Sequence, residues 1–112
     1  MTHEEQLEQL DNSIAEAKEF INIRNSVLKL QKNREFKQVI TEYYFKEEAA
    51  RLVMAKSSNL TEEQQLLIDK MIYGIGSLAK FLDSTLVRGA QADQSYAEDE
   101  QSRVEIIAGG LV

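Results

Sequence analysis

Few residues of this sequence could carry out chemistry, and their spacing suits none of the common reactions. The 112 residues include no cysteine and a single histidine, His3, so thiol nucleophiles, thiolate metal sites and Ser-His-Asp triads all lack a component. Adjacent carboxylates such as Glu47 and Glu48 leave a helix in different directions, which argues against a paired general acid and base. We therefore expect no enzymatic activity, no cofactor and no metal.

The two glycines Gly74 and Gly76, separated by one isoleucine, could suggest a phosphate-binding loop, but the pattern is incomplete. No strand is predicted before them, and the remaining glycines and the lysine of such loops are missing. Within a helix each glycine costs about 1 kcal/mol relative to alanine. We expect that cost to be offset by close approach of another backbone at these positions.

The composition predicts helix along nearly the whole chain and one core of modest thickness. Proline is absent, only five glycines are present, and 43% of the residues are hydrophobic with 7% aromatic. The net charge of -6 disfavours direct binding to nucleic acid, which depends on Lys and Arg. No apolar run reaches the roughly 18 residues of a membrane span, and the acidic start does not resemble a secretory signal peptide.

The N-terminal segment, from Glu4 to about Gln31, has the apolar spacing of a coiled coil. Its apolar residues alternate in steps of three and four, and Arg24 occupies the place of a missing one. The apolar members of this seam are Leu7, Leu10, Ile14, Ala17, Ile21 and Leu28. The pattern predicts a long helix whose partner is another helix, either within an antiparallel hairpin or in a second chain. If the partner is a second chain, Leu7, Leu10, Ile14 and Ile21 bind it and the protein is a homo-oligomer.

A turn is predicted around Asn33, because asparagine tolerates the left-handed conformation that often ends helices. The following helix, to about Lys56, should bury one face, which consists of Phe36, Val39, Ile40, Tyr43, Tyr44, Ala50, Val53 and Met54. Glu47 falls inside this face, with Arg51 one turn later as its expected ion-pair partner, and Glu48 can reach either Arg51 or the side of the helix that carries Lys46. Tyr43 and Tyr44 are candidate anchors for a partner protein, since tyrosine combines a large contact area with a polar tip.

Thr61 and Gln64 form a capping box after the polar loop 57–59, which predicts that a third helix starts there. Helical periodicity then continues to about Val87, and a bend or end is expected near Gly89. The residues from there to Arg103 are expected to form either a solvated helix or an extension of the third helix. The expected fold is all-α, with three to four helices. A long N-terminal helix and a long central helix would form a hairpin or bundle.

The last nine residues differ from the rest, because an apolar, glycine-bearing peptide follows an acidic stretch. We expect a helical domain over residues 1–103 and an extended tail over 104–112. The tail is a candidate for docking onto a groove or sheet edge of a partner protein. Its candidate binding residues are Val104, Ile106, Ile107, Leu111 and Val112.

Two stretches, FKQVITEYYFKEEAARLV (36–53) and IYGIGSLAKFLD (72–83), followed by a small-residue step and an acidic helix, resemble small helical proteins encoded among the structural and assembly genes of tailed bacteriophages. The resemblance spans roughly residues 10 to 100. It implies a scaffold, a connector or a minor head or tail component that binds a larger virion protein. The implied location is the host cytoplasm, the virion or both.

Two other functions remain as alternatives. The acidic segment 93–105 could imitate nucleic acid and bind a host protein as a regulator or inhibitor, because residues 91–112 contain five acidic groups and only Arg103 as a base. Direct DNA binding has less support. It would depend on the mildly basic segment 34–60, which has five basic and four acidic residues.

Overall fold

The computed structural model describes residues 2–110, and these form three helices. Helix α1 is His3–Lys32, α2 covers residues 34–55, and α3 is Glu62–Gly110. No strand occurs within residues 2–110, so the all-α prediction is confirmed. The chain divides into two compact units. We name Met1–Ser26 with Thr85–Val112 the terminal unit and Val27–Ser84 the middle unit.

Side-chain caps define where the helices begin. At the start of α3, the Gln64 backbone N–H donates to Thr61 Oγ1 at 3.2 Å, and the Thr61 N–H donates to Gln64 Oε1 at 3.0 Å, which confirms the predicted capping box. Asn33 separates α1 from α2 as expected, but for a different reason. It has extended backbone angles (φ -69°, ψ 132°), and its Oδ1 accepts the Phe36 N–H at 2.9 Å, so it caps the start of α2.

In the terminal unit, the first part of α1 packs antiparallel against the last part of α3. Ile14, Ala17 and Ala92 are buried there. Two polar contacts connect the helices in the same antiparallel order: Ser13 Oγ donates to Asp99 Oδ2 at 2.6 Å, and Arg103 Nε lies 3.1 Å from Asp11 Oδ1. A narrow apolar seam with polar contacts at its sides is therefore the core of this unit.

In the middle unit, α2 contains an unusually long stretch of π-helix, Lys37–Glu48, between a short α-helical start and the α-helical end Ala49–Ala55. A π-helix bonds each residue to the fifth one along, so its turns hold more residues than the 3.6 of an α-helix. Side chains four residues apart consequently stay close to one line. That line is covered or half-covered, and its members are Phe36, Ile40, Tyr44, Glu48 and Leu52.

The buried face of α2 is not the one that the sequence predicts. Val39, Tyr43, Val53 and Met54 were assigned to the buried face by 3.6-residue periodicity, and all four are exposed. Leu52, outside that prediction, is the most buried of the core residues at 2% exposure. The wider turns of the π-helix shift the covered line away from the α-helical spacing.

The C-terminal part of the fold also differs from expectation. Helix α3 is continuous through Gly89, and no glycine within residues 2–110 has a positive φ, so the expected bend or end is absent and residues 90–103 extend the third helix, the second of the two expected alternatives. The tail predicted to be extended is helical from Val104 to Gly110. The helical conformation of this segment has a physical reason. Ile106 lines a groove with Gln6 and Leu10, so α1 partly covers this turn of α3. Residues 111 and 112 lie outside the described residues.

Candidate protein-binding surfaces

The seam residues predicted to bind a partner lie in the terminal unit and are covered there. Ile14 is buried, and Leu7, Leu10 and Ile21 are half-buried. These residues pack against the last part of α3, as the hairpin alternative predicts. Leu28, the last seam position, belongs to the middle unit and is exposed.

Arg24 takes the polar place in this seam. Its side chain is 18% exposed, and its guanidinium forms an ion pair with Asp93 of α3 through Nη1. The guanidinium also donates to Asn25 Oδ1 at 3.1 and 3.2 Å, through Nη2 and Nε. The charge is thus partnered on both sides, as a mostly covered charge must be.

Two acidic residues of segment 93–105 are occupied by these contacts. Asp93 pairs with Arg24, and Asp99 accepts from Ser13. Lys18 lies 5.8 Å from the ring centroid of Tyr96, close enough for a cation–π contact. Part of the acidic segment therefore faces α1 and contributes to the antiparallel register of the unit.

Tyr43 and Tyr44 are in different environments. Tyr44 is half-buried, and its hydroxyl lies 3.8 Å from the position that a Cβ would occupy at Gly74 of α3. Tyr43 is exposed. Tyr44 thus packs inside the middle unit. The ring of Tyr43 is accessible to a partner protein, and its role as an anchor stays a prediction.

Of the two carboxylates predicted to lie within reach of Arg51, Glu48 forms the ion pair of α2. Arg51 Nε donates to Glu48 Oε2 at 3.1 Å, while Glu47 is exposed. The hydrogen bond from Arg51, aided by its charge and opposed by desolvation, holds the pKa of Glu48 below its ordinary value. The same contact raises the pKa of Arg51. The pair fixes the side chains at the end of the π-helical stretch.

Most of the exposed large apolar side chains lie in the middle unit. Of the fifteen large apolar side chains that are exposed within residues 2–110, eleven lie in this unit. On α2 they are Val39, Tyr43, Val53 and Met54, and on the first half of α3 they are Leu66, Leu67, Met71, Tyr73 and Phe81. Scattered apolar residues are ordinary on protein surfaces, but a concentration of this kind is typical of a binding surface.

Of these residues, only Tyr43 is predicted from the sequence to bind a partner. The spacing of the exposed residues of α3 nevertheless indicates that they share one side of the helix. Leu66, Tyr73 and Phe81 recur at intervals of seven and eight, which keeps them on one side of an α-helix. The buried residues Ile75 and Leu82 follow the same rule on another side of it.

At the C-terminal end of α3, the predicted binding residues are divided between two environments. Val104 and Ile107 are exposed, at 63% and 44%, and Ile106 is half-buried beside Leu10. Leu111 and Val112 lie outside the described residues. The exposed pair presents a helical surface rather than an extended peptide, so the binding mode it fits is a helix in a groove.

A basic groove lies where α2 begins. It has a volume of about 530 Å³ and is lined by Lys32, Arg34, Lys37, Gln38 and Glu42. Three cations and one carboxylate give this groove a positive potential, in contrast with the net negative charge of the chain. Two of the basic residues of segment 34–60, Arg34 and Lys37, lie in this groove.

Residues 2–110 contain no helix long and apolar enough to cross a membrane. The same residues contain no group of three or more His, Cys, Asp or Glu side chains that could hold a metal ion. In comparisons with protein-family models, curated proteins and solved structures, no match to this chain was found.

Proposed function

We propose that the chain is a non-enzymatic protein of a tailed-bacteriophage virion or of its assembly, which packs its helices onto a larger protein. The observation that carries the proposal is the concentration of exposed apolar side chains on the middle unit. Such surface is a liability in a protein that stays alone and is stabilising in one that is covered by a partner. The phage setting rests on the resemblance of residues 36–53 and 72–83.

On α2, the docking surface centres on Val39 and Tyr43. These two side chains are four residues apart within the π-helical stretch, so they lie on one line beside the covered line. Tyrosine is favoured at the centre of protein interfaces because it loses little conformational entropy on binding. Val104 and Ile107 form a second, smaller contact in which the helical end of α3 lies in a groove of the partner.

The alternative of an acidic nucleic-acid mimic has less support. Asp93 and Asp99 contact α1, and Glu105 lines a groove beside His3 and Gln6 of α1. A host-protein inhibitor of this type would need more of the charge directed outward.

Mass spectrometry of purified virions and of assembly intermediates tests the proposal. We expect the chain in at least one of these particles, at a fixed number of copies relative to the major head or tail protein. Recovery of the chain only with host nucleic-acid-binding proteins, in complexes that dissociate at high salt, would contradict the proposal and favour the acidic alternative.

A further inference from the structure

The first half of α3 is apolar on two nearly opposite sides. One side forms the core of the middle unit, with Ile68, Ile72, Ile75 and Leu82 buried or half-buried. The other side carries side chains that are all more than half exposed, and we name it the outer face: Leu66, Leu67, Tyr73 and Phe81. At about 100° per residue, the outer face covers a sector of roughly 120°, and its centre lies about 160° from that of the core side.

A helix that is apolar on both sides is typically packed on both sides. We propose that the outer face binds the outer face of a second copy of this chain, with the two α3 helices antiparallel. The two-fold axis passes between Tyr73 and Gly74, which is the midpoint of the patch. This proposal goes beyond the proposed function and does not depend on the phage setting.

The spacing of Leu66, Tyr73 and Phe81 within the outer face is self-complementary in this arrangement, and Leu67 faces Lys80. Leu66 and Phe81 are equally far from the midpoint, so Leu66 of each copy meets Phe81 of the other. Tyr73 lies next to the axis and packs against its own equivalent. An interface that uses one patch twice around a two-fold axis is the commonest form of self-association.

The charges on the same side of α3 favour the antiparallel orientation. Glu63 and Lys70 lie within the angular range of the outer face. In a parallel pair, each would face the same residue of the second copy, which places like charges together. In the antiparallel pair, Lys70 faces Ser77 and Glu63 faces Ser84, so no like charges are opposed.

The area available is suited to a reversible dimer. The four side chains, two of them aromatic, expose on the order of 400 Å² per copy, or about 800 Å² for the pair. Lys70 and Ser77, which lie within the same sector as the four apolar side chains, raise the total toward the lower end of the roughly 1,200–2,000 Å² of stable interfaces. An interface near this lower limit is typical of weak, reversible association, so we expect monomer and dimer to exchange on dilution.

Sedimentation equilibrium of the purified full chain tests the dimer. We expect a mass of two chains at about 100 μM and dissociation on dilution. The variant Tyr73→Ser/Phe81→Ser should be monomeric with unchanged helical circular dichroism. The control Ile23→Ser/Val87→Ser removes two other exposed apolar side chains and should dimerise like the parent. A monomeric parent chain, or equal dimerisation of all three proteins, would overturn the proposal.

Cysteine crosslinking tests the orientation, because the chain has no native cysteine. Two facing helices 8–10 Å apart bring backbone atoms near the axis within reach of a disulfide. Tyr73→Cys should crosslink to itself on mild oxidation, whereas Ser57→Cys, in the exposed loop, should not. A mixture of Leu66→Cys and Phe81→Cys should give mainly the mixed disulfide. Predominant crosslinking of Leu66→Cys to itself would indicate a parallel pair and contradict the assignment.

Discussion

Arg24 of α1 lies directly against Gly89 of α3, and the absence of a side chain at residue 89 makes room for it. A Cβ built at Gly89 would lie 2.6 Å from both Cγ and Cδ of Arg24 and closer still to its Cβ. The guanidinium reaches onward to Asp93, one turn along α3. The two helices thus approach each other closely at a position where one side chain is long and the other is missing.

Replacement of Gly89 by alanine is expected to destabilise the protein. The added methyl group would collide with the Arg24 stem, and overpacking of this kind costs about 1–3 kcal/mol. Helix propensity alone would change the free energy of unfolding by about 1 kcal/mol in the opposite direction. Gly76→Ala is the control, since nothing lies within 4 Å of a Cβ there, and it should stabilise. Urea unfolding followed by circular dichroism measures both, and a stabilised Gly89→Ala variant would refute the close contact.

The Arg24–Asp93 ion pair should contribute more to the alignment of α1 with α3 than to the free energy of unfolding. Arg24→Met keeps the carbons beside Gly89 and removes a mostly covered charge, so the free energy of unfolding should be unchanged or higher. Asp93→Ala leaves Arg24 without its carboxylate and should cost about 1 kcal/mol. Thermal unfolding of the two variants distinguishes these effects, and a larger loss for Arg24→Met than for Asp93→Ala would be inconsistent with them.

Two neighbours in α2 test the register of its covered line. Leu52 is 2% exposed and Val53 is 57% exposed. Leu52→Ala should lower the free energy of unfolding by about 2–5 kcal/mol, because it removes buried carbon and leaves a cavity. Val53→Ala should change it by less than about 0.5 kcal/mol. Chemical denaturation provides both values. A larger loss of unfolding free energy for Val53→Ala than for Leu52→Ala would contradict this assignment and support the buried face that 3.6-residue periodicity predicts.

The Glu48–Arg51 contact predicts a pH dependence. Because the pKa of Glu48 is lowered in the folded state, its contribution to stability is present above the unfolded pKa, near the ordinary value of 4.5. The contribution is lost as the pH falls through the folded pKa. In a carboxyl NMR titration, Arg51→Gln should raise the Glu48 midpoint toward its ordinary value. An unchanged midpoint would show that the hydrogen bond does not cause the shift.

Local patterns in the sequence predicted much of this fold. The seam from Leu7 to Ile21 was identified by heptad spacing, and the start of α3 was identified by the Thr61 capping box, because each signal lies within a few consecutive turns. Asn33 was recognised as a break, although it acts as an N-cap. The helical end of α3 was missed, since its apolar residues after an acidic stretch were interpreted apart from the α1 turns that partly cover Ile106.

Other features could not be predicted without the partner helix. Gly74 and Gly76 were expected to permit a close backbone approach, but a Cβ at Gly74 would have only ordinary contact with Tyr44, and Gly76 is open. The close approach occurs at Gly89, where the deciding atoms belong to Arg24. The burial of Leu52 likewise depends on the π-helical register of α2, and 3.6-residue periodicity does not reveal that register.

The most direct test of partner binding by the middle unit is the copy number of the chain in purified particles. Virions or assembly intermediates would be prepared with the parent chain, with Val39→Ser/Tyr43→Ser, and with the Ile23→Ser/Val87→Ser control, and quantified by isotope-labelled mass spectrometry. The proposal predicts that the copy number of the Val39→Ser/Tyr43→Ser variant per particle is at least about tenfold lower than that of the parent chain, because a central interface anchor is lost. The copy number of the control should equal that of the parent chain. Equal incorporation of all three proteins, or absence of the parent chain from every particle, would contradict it.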